Sequence, residues 1–322
     1  MTKPTLVTVD ELKIMIVMDN TIDVFMAGAE HAQRFDCATL HTAVGLSPLI
    51  AEHGFCATIQ VKKGEQTQTV LLDTGVSPNG VLHNMRTLGI ELGEMQAIAL
   101  SHGHADHTLG LPGLIDRFGE SRAIPLVAHP DAFLERKVIF PDGREMCFSP
   151  PLELNQLDPN KIEVRKETGP TTLVDQAVLV TGQIPRQTSF ENGFPFHYTK
   201  REGVWENDPL ILDDQALVVH VEGKGLVIIT GCGHAGIINT IRYAQELTGV
   251  EKIHAVIGGF HLTGGFFEKI IPDTITEFKK IKPDYLVPGH CTGWYAIQQI
   301  AQHLPDAFIP NNVGTLLRFS AE

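Results

Sequence analysis

The 322-residue chain has little of what several protein classes require. Five cysteines are an odd number, and no CxxC pair occurs, so we expect no disulfide framework and a reducing compartment. No apolar run approaches the ~20 residues of a membrane-spanning helix. The short run 14–18 has acidic flanks and therefore predicts a buried strand rather than a signal segment. We thus expect a cytoplasmic protein with no membrane partner. The cysteines are Cys37, Cys56, Cys147, Cys232 and Cys291.

Basic residues are also scarce. Lys and Arg number 25 against 38 Asp and Glu, and the formal net charge is −13. No basic run could follow a phosphate backbone, so we expect no nucleic-acid partner. A small anionic substrate stays possible, because metals or a local basic pocket can hold it. The sequence leaves the oligomeric state open.

Strand-like and helix-like segments alternate along the chain, which predicts an α/β fold. Helices are expected near 108–118, 236–248, 271–282 and 294–304, and titratable residues gather just after the β runs. We interpret 1–322 as one domain. The proline-rich segment at about 138–210 is predicted to be an insertion that forms a lid, with a passive connection as the alternative.

The strongest motif is the segment from His102 to His107. His102 and His104 share one face at a strand end, and Asp106 and His107 follow as the chain bends into a helix. Three imidazoles and one carboxylate within six residues predict a metal site. These donors suit zinc, and also manganese or iron(II).

This segment resembles the HxHxDH signature of the metallo-β-lactamase superfamily. The resemblance implies a four-layer αβ/βα sandwich that binds two divalent metal ions, one through His102 and His104 and the other through Asp106 and His107. Asp73, in an Asp-Thr-Gly strand end, looks like the residue that supports the ligands from outside without binding metal.

Two further ligands are expected from later strand ends. His234 is predicted to complete the first metal site and His290 the second. The chain departs from the family pattern where glyoxalase-like members have a His followed by a bridging Asp: Thr181–Pro185 has no His, and Cys232 stands at the Asp position. Cys232 is either a thiolate ligand or a small buried hydrophobic residue. We expect Cys232, like Asp73, to lie next to the direct ligands rather than among them.

The wider pattern resembles a branch that includes dihydropterin-methyl-(ribofuranosyl)aminobenzene phosphate synthases. The leading hypothesis is a hydrolase that cleaves a small anionic (phospho)ester with a metal-activated water, with Asp106 and His261 as catalytic residues. The alternatives are a transferase that condenses a pterin with an aryl phosphate, and a non-catalytic sensor. His261, His197 and Arg186 are predicted to bind substrate.

Other residues of the predicted lid bear on the substrate. Lys200 and Arg201 could bind phosphate, which favours an anionic substrate. A neutral lactone or ester is the competing idea, and it would be held by apolar lid residues. Those residues are Phe190, Phe194 and Phe196. His129, which follows another β run, is a weaker candidate for the site.

Overall fold

The structure is a computed structural model that describes residues 4–35, 48–118, 123–148 and 150–321. Cys37 lies outside these ranges, and Cys56, Cys147, Cys232 and Cys291 are all free thiols. No helix in the described part of the chain is long and apolar enough to cross a bilayer.

The strands form three sheets. Their bounds, in chain order, are β1 (Thr8–Val9), β2 (Glu11–Met18), β3 (Ala32–Gln33), β4 (Cys56–Lys63), β5 (Gln66–Leu72), β6 (Met95–Ala99), β7 (Ile124–Ala128), β8 (Arg136–Ile139), β9 (Glu145–Phe148), β10 (Ile162–Lys166), β11 (Thr171–Leu173), β12 (Val178–Val180), β13 (His197–Arg201), β14 (Val204–Asn207), β15 (Ala216–Val221), β16 (Gly225–Thr230), β17 (Ile253–Gly259), β18 (Tyr285–Gly289) and β19 (Leu316–Ser320).

Short and medium helices connect them. The α-helices are α1 (Gly80–Leu88), α2 (Ala105–Thr108), α3 (Leu111–Ile115), α4 (Ile237–Thr248), α5 (Gly264–Phe267), α6 (Ile271–Ile281) and α7 (Trp294–His303). The 3₁₀ turns are Leu92–Glu94, Pro130–Phe133, Leu154–Gln156, Glu268–Ile270 and His290–Thr292.

Two large sheets pack face to face and carry helices on their outer sides, as expected for the αβ/βα sandwich. One has the order β11-β12-β15-β16-β17-β18 with β1 beside β15, and the other has the order β10-β7-β6-β5-β4-β2-β19-β3. Alternate side chains of one strand enter different cores: Val227 lies between the sheets, whereas Ile228 packs with α4 residues such as Ile241. The second sheet packs its outer face on α1 and α3.

The prediction that residues at about 138–210 form a single insertion is wrong. Its middle part supplies β10, β11 and β12, which are strands of the two large sheets. Its ends supply β9, β13 and β14, which with β8 form a separate four-stranded sheet of order β14-β13-β8-β9. We call this the cover sheet. The sequence did not reveal these strands because short strands on both sides of a crossover lack a long periodic pattern of apolar residues.

The predicted helix at 108–118 is two short helices, α2 and α3, separated at Gly110. A β-carbon at Gly110 would collide with the carbonyl oxygen of Thr74, so only glycine fits at this position. The Gly110 amide donates to the carbonyl of Gly75 at 3.2 Å. This contact presses the turn after the histidine motif against the strand end that carries Asp73.

Candidate metal centre

The candidate ligands meet because five strand ends open at one edge of the sandwich. β5 and β6 run parallel, as do β16, β17 and β18. Parallel strands bring their carboxyl ends to the same edge, where α/β folds place ligands. The loops after these strands carry, in chain order, Asp73, His102, His104, Cys232, His234, His261, His290 and Cys291.

His102, His104 and His234 converge as predicted. His104 Nδ1 lies 2.9 Å from His102 Nε2 and 3.1 Å from His234 Nε2. All three side chains are buried, and this burial is the main reason why the pKa of each imidazole lies well below its ordinary value. Neighbouring positive groups lower the pKa further. Neutral imidazoles offer their lone pairs to a metal.

Asp106, His107 and His290 form a second group, also as predicted. His107 Nε2 lies 3.1 Å from His290 Nε2. Asp106 Oδ2 lies 3.2 Å from His290 Nε2 and 3.4 Å from His107 Nε2. Burial alone would raise the pKa of Asp106, but the two imidazoles outweigh it and lower the pKa well below the usual range. The carboxylate is thus ready to bind a cation.

Cys232, for which the sequence left two roles open, lies among the candidate metal ligands. Its sulfur is 3.2 Å from His107 Nε2. It also belongs to three compact donor groups whose donor atoms lie within 4.8 Å of one another: one with Asp106, His107 and His290, one with His102 and His234, and one with His261 and Cys291. The thiol therefore lies within reach of both groups of candidate ligands. Sequence reasoning could not choose this role, because a Cys between glycines has the same appearance in an apolar core.

The donor set fits metal ions. Two nitrogens bound to one tetrahedral zinc at about 2.1 Å are separated by roughly 3.4 Å, close to the distances between ring nitrogens here. Imidazole, carboxylate and thiol groups are the ligands that zinc and iron bind in proteins. The residues present thus suit divalent metals.

The outer ring nitrogens of three ligands are held by hydrogen bonds. His107 Nδ1 donates to Asp73 Oδ2 at 2.6 Å, and His290 Nδ1 donates to Asn20 Oδ1 at 3.1 Å. His102 Nδ1 lies 3.0 Å from the Ser101 hydroxyl, which itself donates to Asp73 Oδ2 at 2.6 Å. Such contacts fix which nitrogen faces the metal. Asp73 belongs to none of the compact donor groups among the described residues, and it accepts hydrogen bonds from His107 and Ser101.

Asp73→Asn is expected to weaken metal binding about 10- to 100-fold while the fold survives. The amide can still accept a hydrogen bond from His107, but it lacks the charge that orients the imidazole, and one side of it becomes a donor. Competition with a chromogenic chelator measures the affinity, and circular dichroism monitors the fold. Unchanged affinity would contradict the supporting role of Asp73.

A cavity of about 800 Å³ opens above these groups. Most of its apolar and aromatic lining comes from the cover sheet, from the loops that flank its strands and from α5. The residues are Val138, Phe140, Met146, Phe148, Phe194, Phe196, Ile211, Phe266 and Phe267. His53, Asp106, Cys232, His234, His261 and Cys291 also line it, and none of the described lining residues is Lys or Arg.

Three predicted anion-binding residues are corrected, because they are engaged elsewhere. Arg186 donates to the backbone carbonyls of Ile184 and Leu210. Lys200 pairs with Glu135 and Arg201 with Asp131, each at 2.7 Å. None of the three lines the cavity.

His261 and His197 both line the cavity, in different settings. His261 lies against the His234 ring, with 4.0 Å between ring centroids. The backbone of His261 has a φ of 44°, a strained conformation for this residue. His197 is buried, and its Nε2 lies 3.3 Å from His104 Nε2. His197 therefore touches a predicted ligand.

Other residues differ from their sequence-based interpretation. His129 is outside the cavity and accepts a hydrogen bond from the Asp131 amide at 3.1 Å, as a cap of a 3₁₀ turn. Phe194 and Phe196 line the cavity, whereas Phe190 does not. His53, which carried no metal motif, stacks on His290 with 5.0 Å between centroids. The sequence feature that could have identified His53 is its position next to Gly54, where the chain turns into β4.

The comparisons with known proteins agree with this architecture. Residues 54–290 match the family profile described as the metallo-beta-lactamase superfamily. The 7,8-dihydropterin-6-methyl-4-(beta-D-ribofuranosyl)-aminobenzene-5'-phosphate synthase of Methanocaldococcus jannaschii is 30% identical over 280 residues, 85% of this chain and 92% of that protein. An uncharacterized protein of the same archaeon is 30% identical over 83% of this chain and 93% of its own length.

One solved structure extends the fold comparison. It is described as a metal-dependent hydrolase of the beta-lactamase superfamily, with a TM-score of 0.70 and 24% identity, and the alignment covers 96% of this chain and all of that one. At this identity the likeness concerns the fold.

Proposed function

The chain belongs to the metallo-β-lactamase superfamily, and on that premise we propose that it is a hydrolase with two divalent metal ions, of which zinc suits the donors best. Its substrate is a small (phospho)ester whose anionic reacting group lies at the metals and whose apolar body lies in the cavity. The proposal rests on one observation: seven side chains of types that bind metals converge at the base of an aromatic cavity. They are His102, His104, Asp106, His107, Cys232, His234 and His290.

When bound, the two ions supply Lewis acidity and a water activated at neutral pH. The protein supplies position and proton transfer. Asp106 supplies the one carboxylate among these seven side chains. Its side chain is 17% exposed, and its Oδ2 lies 3.6 Å from His53 Nε2. His261 faces the cavity beside His234, where its imidazole can donate a proton to a leaving group.

The cavity restricts the body of the substrate. Phe194 packs against Phe196 and Phe267 with ring centroids 5.4 and 5.3 Å apart, and Phe266 adds a further ring to this wall. Such a wall binds aromatic or aliphatic groups. Because no Lys or Arg lines the described cavity, the attraction for an anion would come from the ions themselves.

A transferase is the second candidate, and one observation favours it. The relative at 30% identity is named a synthase and is matched over 92% of its length. A volume near 800 Å³ also lies within the range that holds drug-sized ligands, so two small substrates could share it. In that reaction the acceptor would form a bond to the pterin methylene carbon as pyrophosphate leaves, the ions would hold the leaving pyrophosphate, and the apolar wall would position the second substrate.

A matched panel under defined metal loading separates the candidates. It contains aryl phosphates, phosphodiesters, lactones and carboxylate esters, and a reduced pterin pyrophosphate with an aryl phosphate acceptor. We expect hydrolysis of an ester with an aryl or aliphatic group. Condensation without hydrolysis would favour the transferase, and no turnover of any compound by a fully metal-loaded protein would contradict the enzymatic proposal.

Phe266→Ala is expected to lower kcat/KM for the best substrate by about 5- to 30-fold, because one ring of the aromatic wall is lost. Lys200→Ala, in the cover sheet but outside the cavity, is the matched control and should change it less than 2-fold, as a weak surface ion pair predicts. Steady-state kinetics of both variants measures this. A larger loss in the Lys200 variant would show that anion binding, not the apolar wall, governs selection.

A further inference from the structure

We propose that the cover sheet is a structural part of the metal centre. His197 of β13 selects the tautomer of His104, and Arg136 of β8 fixes the loop that carries His102 and His104. This inference rests on the metal centre of the proposed function. It makes His197 a positioning residue, a different role from the substrate contact that the sequence suggested.

The hydrogen bonds of His197 determine where its proton lies. His197 Nδ1 is 3.0 Å from the backbone carbonyl oxygen of Asp208, which can only accept, so this nitrogen carries the hydrogen. The other nitrogen, Nε2, then has a lone pair, and it faces His104 Nε2 at 3.3 Å. His104 must therefore donate from Nε2.

That donation leaves His104 Nδ1 without a hydrogen. Nδ1 is the atom that faces His102 Nε2 and His234 Nε2, at 2.9 and 3.1 Å. The chain of contacts from Asp208 through His197 thus presents the correct nitrogen of His104 to a metal. Outer partners of metal-binding imidazoles commonly act in this way.

His104 differs from the other candidate ligands in the source of this support. His102, His107 and His290 are held by Ser101, Asp73 and Asn20, which lie in loops at the ends of the large sheets. His234 Nδ1 is buried without a hydrogen-bond partner among the residues that the structure describes. His104 is held by a residue of the cover sheet.

Arg136 supplies a second connection to the same loop. Its Nη2 donates to Asp213 Oδ2 at 2.6 Å, and the same oxygen accepts the amide of Gly103 at 2.8 Å. Gly103 stands between His102 and His104. Both charged side chains of this pair are fully buried. Burying an ion pair costs desolvation energy, which favours a positional over a purely stabilising role.

The two connections come from neighbouring strands. Thr199 of β13 pairs with Arg136 of β8, and His197 pairs with Val138. Phe148, on the next strand, stacks on the His104 ring with centroids 4.6 Å apart. A ligand that moves the aromatic wall of the cavity would therefore also act on His104.

The test compares His197→Phe, which keeps the ring but removes the acceptor, with His197→Gln, whose amide oxygen can accept the same hydrogen bond. Tyr198→Phe, on the adjacent position of β13, is the control. Chelator competition measures both metal affinities, and the visible spectrum of the cobalt-loaded protein reports the ligand geometry. We expect His197→Phe to weaken one ion about 10- to 100-fold and to alter its spectrum, with partial recovery in His197→Gln and no change in Tyr198→Phe.

Equal affinities and spectra in the wild type and His197→Phe, with two ions bound in both, would overturn the inference alone. A wild type that binds no metal would overturn the proposed function and this inference with it. If His197→Phe does not fold, ¹⁵N NMR of histidine-labelled wild type decides, because it identifies the tautomer of each imidazole. Hydrogen on His104 Nε2 supports the inference, and hydrogen on Nδ1 contradicts it.

Discussion

His102→Ala should bind one equivalent less metal than the wild type and lose at least about 100-fold in kcat/KM. The imidazole is buried and 2.9 Å from His104 Nδ1, so its removal opens a gap in the first group of ligands. Solvent cannot replace a directed nitrogen ligand at equal strength, and catalysis by paired ions requires both. Metal analysis after reconstitution and dialysis measures the stoichiometry.

His303→Ala is the control for His102→Ala. His303 is exposed at the end of α7, and its ring contacts only the backbone of Gln299 among its hydrogen-bond partners in the described structure. It should bind as much metal as the wild type. If His102→Ala keeps two equivalents at wild-type affinity, His102 is not a ligand and the proposed grouping is wrong.

Cys232→Ala should weaken both metal sites together. The Cys232 sulfur is 3.2 Å from His107 Nε2 and also lies in the group with His102 and His234. A residue that touches both ions stabilises both. Loss of a single-site ligand such as His290 should instead affect mainly one. We expect kcat/KM to fall at least about 100-fold, because removing the shared ligand disturbs the paired site.

Cys232→Asp tests the bridging role directly. A carboxylate can also bind two ions, so this variant should recover part of the affinity that Cys232→Ala loses at both metal sites. Cobalt-loaded protein should show a sulfur-to-metal absorption band in the wild type that both variants lose. Cys147→Ser, at an exposed thiol, is the control. A band that persists in Cys232→Ala would assign the sulfur ligand to another cysteine, with Cys291 the nearest candidate.

The geometry of the site also bears on substrate selection. The sequence suggested cations of the predicted lid as an anion trap, but Lys200 and Arg201 form ion pairs with Glu135 and Asp131. Once ions are bound, the cavity would instead have a positively charged metal centre at its base and aromatic side chains along its wall. A substrate with one anionic and one apolar end fits both parts. This arrangement explains how a chain with a net charge of −13 could act on an anion.

The sequence by itself determined the α/β class, the family and the six imidazole and carboxylate positions that the structure brings together. These signals are local. Alternating apolar residues specify strands, and the spacing of His102, His104, Asp106 and His107 within six residues places their side chains on one strand end. His234 and His290 follow apolar runs, so the same edge of the sheet could be inferred for them.

Only the tertiary structure decided the features that depend on which distant segments meet. Cys232 lies between both groups because the end of β16 is brought next to the loop after β6, which its flanking glycines do not encode. The cover sheet combines strands separated by more than fifty residues, and its pairing places His197 on His104 and Arg136 on Asp213. Long-range pairing and the choice of partner for each buried charge emerge from packing of the whole chain, so no local pattern could predict them.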